Sequence, residues 1–171
     1  MYRFFYECNG ARVEAYLTVP RGSRHDPLVV YLHGGFPSGL SKPHNELGYS
    51  AAEVSSLASP SYAALFPEYQ GYKASSGDAQ GLYTDAVDTL VAIRVAESVS
   101  PIDPRRLYII GASLGGGVAL KVAGTLQGVQ AVIGVSPYVG LRTFVPWATN
   151  NSAPGTVTHV FRTQNMGAGV I

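Results

Sequence analysis

The chain has 171 residues, 12 basic and 11 acidic side chains, a net charge of +1, and 46% apolar against 13% charged residues. That balance describes one globular domain with a real core. It excludes a disordered chain and a nucleic-acid binder driven by charge, since no basic cluster exceeds Arg105-Arg106. One cysteine, Cys8, excludes an internal disulfide and suits a reducing compartment. The start Met1–Glu7 has no secretory pattern. The uncharged stretch Leu107–Leu120 is too short to span a membrane, and Val122–Leu141 is interrupted by Gln127, Gln130 and Pro137. A cytoplasmic protein without membrane insertion is expected.

In chain order, alternation in Tyr2–Glu7 and Arg12–Val19 around Asn9-Gly10 predicts an antiparallel hairpin. The continuous apolar run Leu28–Leu32 predicts a strand covered on both faces, ending in His33-Gly34-Gly35 and a Pro/Ser/Gly loop. Leu47, Ala51, Val54 and Leu57 are spaced for a helix over Asn45–Ala58. Tyr62–Phe66 reads as a buried strand opening into the polar loop Pro67–Gly77, and Asp85–Val99 as an amphipathic helix. Pro101-Ile102-Asp103-Pro104 predicts a break and a turn. Strand Leu107–Ile110, helix Leu114–Leu126 and strand Val129–Val135 follow. Strands alternating with helices imply βαβ units and a mainly parallel sheet. Beyond Pro137 the pattern fades to a weak helix at Leu141–Ala148 and a weak strand at Thr156–Phe161. Residues 1–140 are expected to form the core, and 141–171 a divergent or loosely ordered tail.

Gly111-Ala112-Ser113-Leu114-Gly115 is a Gly-x-Ser-x-Gly pattern following an apolar strand and opening a helix through Gly115-Gly116-Gly117. This is the context of a nucleophile elbow, a tight turn that exposes a serine hydroxyl. Ser113 is the candidate nucleophile. The Leu114 N–H, with Gly34, Gly35 or Phe36 from the earlier glycine loop, is the candidate oxyanion site. A serine that merely caps a helix is the competing reading. His33 is expected to hold its loop rather than act as a base. His25, His33, His44 and His159 lack ligand-like spacing, so no metal is expected. Gly111–Gly117 lacks the Lys-Ser/Thr ending of a phosphate loop. No cofactor is expected.

Several segments add to this: His33-Gly34-Gly35, then Pro67-Glu68-Tyr69-Gln70-Gly71-Tyr72 with Ser75 and Gly77, then Asp85-Ala86-Val87-Asp88, Asp103-Pro104-Arg105-Arg106 and Gly111–Gly116. Together, over roughly residues 12 to 140, they resemble the α/β-hydrolase superfamily. Within it they are similar to prolyl oligopeptidase-type and dienelactone hydrolase-type catalytic domains. One departure is Gln70, where such sequences commonly carry arginine. The resemblance implies an α/β fold with a mainly parallel sheet, helices on both faces and an N-terminal antiparallel hairpin. It also implies hydrolysis of a small-molecule or peptide ester or amide through an acyl-enzyme at Ser113.

The resemblance further implies strands after the serine, a loop bearing an acid and a loop bearing a histidine. Between Ser113 and Ile171 there is no Asp or Glu, and the one histidine is His159. Asp103 precedes the strand that leads to Ser113 and is expected on the order of 20 Å away, at the wrong edge of the sheet. Glu68 and Asp78 are weaker candidates that would orient His159 or His44. The chain therefore reads as a C-terminally truncated or divergent member of the superfamily. An inactive scaffold with a binding or assembly role is the competing function. Residues 129–135 are expected to be an unprotected apolar edge through which chains associate.

Overall fold

The computed structural model describes residues 1–22, 25–35, 47–99 and 101–140. Strands β1 (Tyr2–Cys8) and β2 (Ala11–Thr18) form the expected hairpin, with Tyr2 opposite Leu17 and Cys8 opposite Ala11. Asn9 and Gly10 join them at φ 49° and 78°, the left-handed pair that a two-residue hairpin requires. Strands β3 (Asp26–Leu32), β4 (Ala63–Pro67), β5 (Ile102–Ala112) and β6 (Val129–Val135) complete a sheet of order β1-β2-β4-β3-β5-β6. The pairings β1·β2 and β2·β4 are antiparallel, while β4·β3, β3·β5 and β5·β6 are parallel.

Strand alternation sorts the apolar side chains onto two faces. Leu28, Val30, Leu32, Leu65 and Ile109 pack beneath helices α2 (Leu82–Val99) and α3 (Leu114–Ala123). On the other face Ala64, Phe66 and Tyr31 pack with Val54 of the short helix α1 (Ala51–Ser56). The result is an α/β fold with helices on both faces of a mixed sheet.

Among the boundaries that differ from the sequence reading, four have a local reason. Helix α1 starts at Ala51 rather than Asn45. Ser50 is extended at φ −86°, its hydroxyl accepts the Glu53 N–H, and Glu53 in turn accepts the Ser50 N–H at 2.8 Å. This capping box fixes the helix start more strongly than apolar spacing extends it. Helix α2 starts at Leu82, where the Gly81 carbonyl accepts the Thr84 N–H. Strand β5 starts at Ile102 and runs through Pro104. Its ladder to β3 skips from Ile102 opposite Asp26 to Leu107 opposite Leu28, so the proline deprives no strand partner of a donor. Helix α3 ends at Ala123, with Gly124 as its cap.

Gln70, at the position where arginine was expected, donates its side-chain amide to Asp88 Oδ1 at 2.8 Å and its backbone N–H to Oδ2 at 2.9 Å. One helical turn earlier Asp85 is equally buried, and neither of its carboxyl oxygens has a partner among the described residues. Burial pushes the Asp85 carboxyl well above the usual range.

Strand β6 is one of the two sheet edges among the described residues, and Ile133 and Val135 remain 54% and 55% exposed. The weak helix and strand expected at Leu141–Ala148 and Thr156–Phe161, and the tail 141–171 as a whole, lie outside the described residues. No helix among the described residues is long and apolar enough to cross a membrane.

Candidate active site

The carboxyl ends of β3 and β5 lie side by side, with Leu32 opposite Gly111. This is the edge of a parallel sheet at which ligands collect. From it β5 turns sharply into α3 at Ser113. The serine has φ 53° and ψ −117°, lies exposed, and makes no capping hydrogen bond. A non-glycine residue in this region costs about 1–3 kcal/mol and persists only where its surroundings hold it. Here the Ser113 N–H donates to the Val135 carbonyl at 2.9 Å, and the Ser113 carbonyl accepts the Tyr138 N–H at 2.8 Å. The serine hydroxyl is thus free of the helix-cap role. Gly117 is the first residue of α3 to donate back along the helix, to the Ser113 carbonyl. The Leu114 N–H therefore sits in the positive first turn with no intrahelical acceptor.

The glycines of this turn are required by close backbone approach. A β-carbon on Gly115 would strike the Leu32 carbonyl and lie 2.5 Å from that of His33. On Gly34 it would lie 2.9 Å from the Ala112 carbonyl and 3.1 Å from Ser113 Cβ. Gly34 therefore lies against the backbone of Ala112 and Ser113, which sets the glycine loop beside the serine turn. Gly35, at φ +113°, continues the loop. Phe36 lies outside the described residues.

His33 is buried, with both ring nitrogens turned to other groups. Nδ1 donates to the Gly34 carbonyl at 2.9 Å, and Nε2 lies 3.3 Å from Glu68 Oε2. Burial, helped by nearby Lys73, pulls the imidazole down to about 4. Burial also pushes the Glu68 carboxyl up to about 8. The spacing is that of an ion pair, yet both shifts point to neutral partners. The neutral arrangement agrees with the Nδ1 bond: a protonated Glu68 faces the lone pair of Nε2. The other Glu68 oxygen accepts the Tyr49 N–H at 2.7 Å. The His33 ring stacks on Tyr69 at 4.3 Å and meets the Tyr72 edge at 5.0 Å.

Of the weaker sequence candidates, Glu68 is committed to His33 and Tyr49. Asp78 is exposed, with no side-chain hydrogen bond or ion pair to any described residue. His44 and His159 lie outside the described residues. Asp103 sits at the start of β5, paired with Arg105 and Arg106 at the end of the sheet away from Ser113. The described residues hold no cluster of three or more His, Cys, Asp or Glu suited to a metal. A groove of about 370 Å³ beside Arg3, Glu14, Tyr49 and Lys73 is not lined by Ser113 or His33. Sequence reading did not anticipate that Tyr49, Tyr69 and Tyr72 would surround His33. Their placement depends on long-range packing that no local motif records.

The profile of the acetyl xylan esterase family matches residues 63–162, more than half of the chain. The chain belongs to the acetyl xylan esterase family. Among curated proteins it is similar to the quorum-quenching protein AidA of Acinetobacter baumannii, at 29% identity over 136 residues. That match covers 78% of this chain and 42% of AidA, so the chain spans under half the length of that relative. Among solved structures, the ferulic acid complex of Est1E from Butyrivibrio proteoclasticus superposes with a TM-score of 0.66 at 19% identity, covering 96% of this chain and 71% of Est1E. The acylaminoacyl peptidase of Pyrococcus horikoshii superposes with a TM-score of 0.60 at 20% identity, covering 78% of this chain and 22% of the peptidase. The fold of this family member is that of the α/β-hydrolases, as the sequence resemblance implied.

Two outcomes follow from the geometry. Gly115→Ala, which drives a methyl into the Leu32 and His33 carbonyls, is expected to cost about 1–3 kcal/mol in urea unfolding. The second concerns pH. Glu68 has an ordinary value of 4.5 and a folded value of about 8, so between these its contribution to stability is lost as pH rises. His33 falls from 6.5 to about 4, so over that span its contribution grows with pH. From pH 6.5 to 8 only the acids act. Glu68→Gln should therefore flatten the fall in stability there by about 2 kcal/mol. Asp85 keeps part of the slope. Thermal unfolding across this range measures it.

Proposed function

We propose that this protein is a serine hydrolase in which Ser113 attacks the carbonyl of an ester or amide, forming an acyl-enzyme. The observation that carries the reading is the strained Ser113 turn, exposed and uncapped, in contact with Gly34 of the glycine loop. Such a turn has no use in an ordinary helix start, where a serine would adopt an extended conformation and cap. Attack on a carbonyl places negative charge on its oxygen. The Leu114 N–H, with the N–H groups of Gly34 and Gly35, supplies donors that need no rearrangement to meet it. Family membership and the likeness to esterases and a peptidase support ester or amide chemistry, with a small-molecule carboxylic ester as the favoured substrate class. His25 and His33 are the described histidines, and neither is placed to deprotonate Ser113. The base is therefore assigned outside the described residues, with His159 as the sequence candidate.

A second reading, a non-catalytic scaffold, is favoured by the absence of any Asp or Glu after Ser113. A fluorophosphonate probe separates the two. Labelling of the chain that disappears in Ser113→Ala supports the hydrolase. Absence of labelling in both favours the scaffold, since an unassisted serine hydroxyl is a weak nucleophile.

We also propose that copies of the chain associate through β6. Its Ile133 and Val135 are exposed, and no charged residue lies between Lys121 and Arg142 to oppose edge pairing. Ile133→Lys should shift light-scattering mass toward the monomer at concentrations where the unaltered chain associates. An unchanged distribution would refute this edge as the interface.

A further inference from the structure

Three consecutive carbonyls of the glycine loop are each taken by a buried side-chain donor. Tyr69 Oη donates to the His33 carbonyl at 3.2 Å, His33 Nδ1 to that of Gly34 at 2.9 Å, and Tyr72 Oη to that of Gly35 at 3.0 Å. Tyr69 and Tyr72 are fully buried, and His33 is 7% exposed. A solvent-facing glycine loop would not need this, since water satisfies its carbonyls. In a trans peptide the N–H of each residue points opposite to the preceding carbonyl. Drawing the His33 and Gly34 carbonyls into the buried cluster therefore turns the Gly34 and Gly35 N–H groups away from it. Gly34 is the residue in contact with Ser113.

We propose that Tyr69, Tyr72 and His33, with Glu68 behind Nε2, are positioning residues that clamp the loop carbonyls and so aim the Gly34 and Gly35 N–H groups at the oxygen bound beside Ser113. The proposal rests on the serine hydrolase reading. The Gly34 carbonyl can only accept, so the imidazole proton it holds is on Nδ1, and Glu68 Oε2 lies 3.3 Å from Nε2 on the far side of the ring. The tyrosines add the outer two anchors. Their rings pack on the imidazole and on each other, at 5.6 Å between Tyr69 and Tyr72, so the three donors are held against one another. None of these groups touches the reacting atoms. Their effect is on rate through the placement of donors rather than on affinity.

The test uses the full chain and a fluorophosphonate probe, comparing Tyr69→Phe, Tyr72→Phe, His33→Ala and His33→Asn. Tyr31→Phe is the control, since its hydroxyl pairs with Tyr62 on the other sheet face. Each tyrosine variant should lower the limiting labelling rate roughly tenfold, and His33→Ala about a hundredfold, with half-saturating probe concentration held within about twofold. Asparagine carries an N–H near the Nδ1 position, so His33→Asn should recover most of the His33→Ala loss. Amide hydrogen exchange at Gly34 and Gly35, read by NMR, should accelerate in the same order and stay unchanged in Tyr31→Phe. Labelling rates and glycine exchange equal to the unaltered chain in all three clamp variants would overturn the proposal. If the unaltered chain does not label at Ser113, the hydrolase reading fails. The exchange data still decide the clamp, which falls if Gly34 and Gly35 exchange alike in every variant.

Discussion

Backbone lying directly on backbone, where the turn at Ser113 meets the loop after β3, is the constraint on which the rest of this structure depends. Side chains cannot mediate this contact, because Gly115 sits against the Leu32 and His33 carbonyls and Gly34 against the Ala112 carbonyl. The parallel pairing of Leu32 with Gly111 delivers both segments to the same edge at the same height. A single added methyl on either side would separate them. The unfavourable Ser113 conformation is then held from β6 and the segment after it, through Val135 and Tyr138. Three strands thus converge on one residue.

Beneath that contact the molecule buries polar groups that contribute little to net stability. An isolated carboxyl or imidazole in an apolar interior is costly unless hydrogen-bonded. Burial drives both Glu68 and His33 toward their neutral forms, and each keeps one hydrogen bond, Glu68 from the Tyr49 N–H and His33 to the Gly34 carbonyl. Tyr49, Tyr69 and Tyr72 enclose them and exclude water. A purely apolar plug would stabilise the same space as well or better. It would have no donors with which to hold the peptide planes of the glycine loop. The arrangement trades stability for order at one place in the chain.

What could be read from the sequence was set by how local the determining physics is. Asn9-Gly10 announces a hairpin because the turn needs two left-handed residues, and the structure has them there. Gly111–Gly115 announces a cramped turn because only glycine fits between crossing backbones. Ser50 and Glu53 carried an equally local signal, the capping box, that apolar spacing from Asn45 obscured. Pro101-Ile102-Asp103-Pro104 reads as a helix break and a turn, and α2 does end at Val99, yet Pro104 lies inside β5, in a stretch of strand that lacks ladder partners. The surroundings of His33 were not legible. They join residues 33, 49, 68, 69 and 72, whose meeting depends on β3 and β4 lying side by side.

Gln70 leaves a quieter mark on the molecule. By occupying both oxygens of Asp88, it keeps that acid satisfied but leaves Asp85, one turn away, without a counterpart. A planar cation at the same place could serve two acids at once; an amide serves one. Near its start, helix α2 is consequently tied to the segment after β4 by the two Gln70 hydrogen bonds to Asp88, with no basic side chain paired to Asp85 or Asp88 among the described residues. Without an ion pair at this point, the attachment should be largely indifferent to ionic strength.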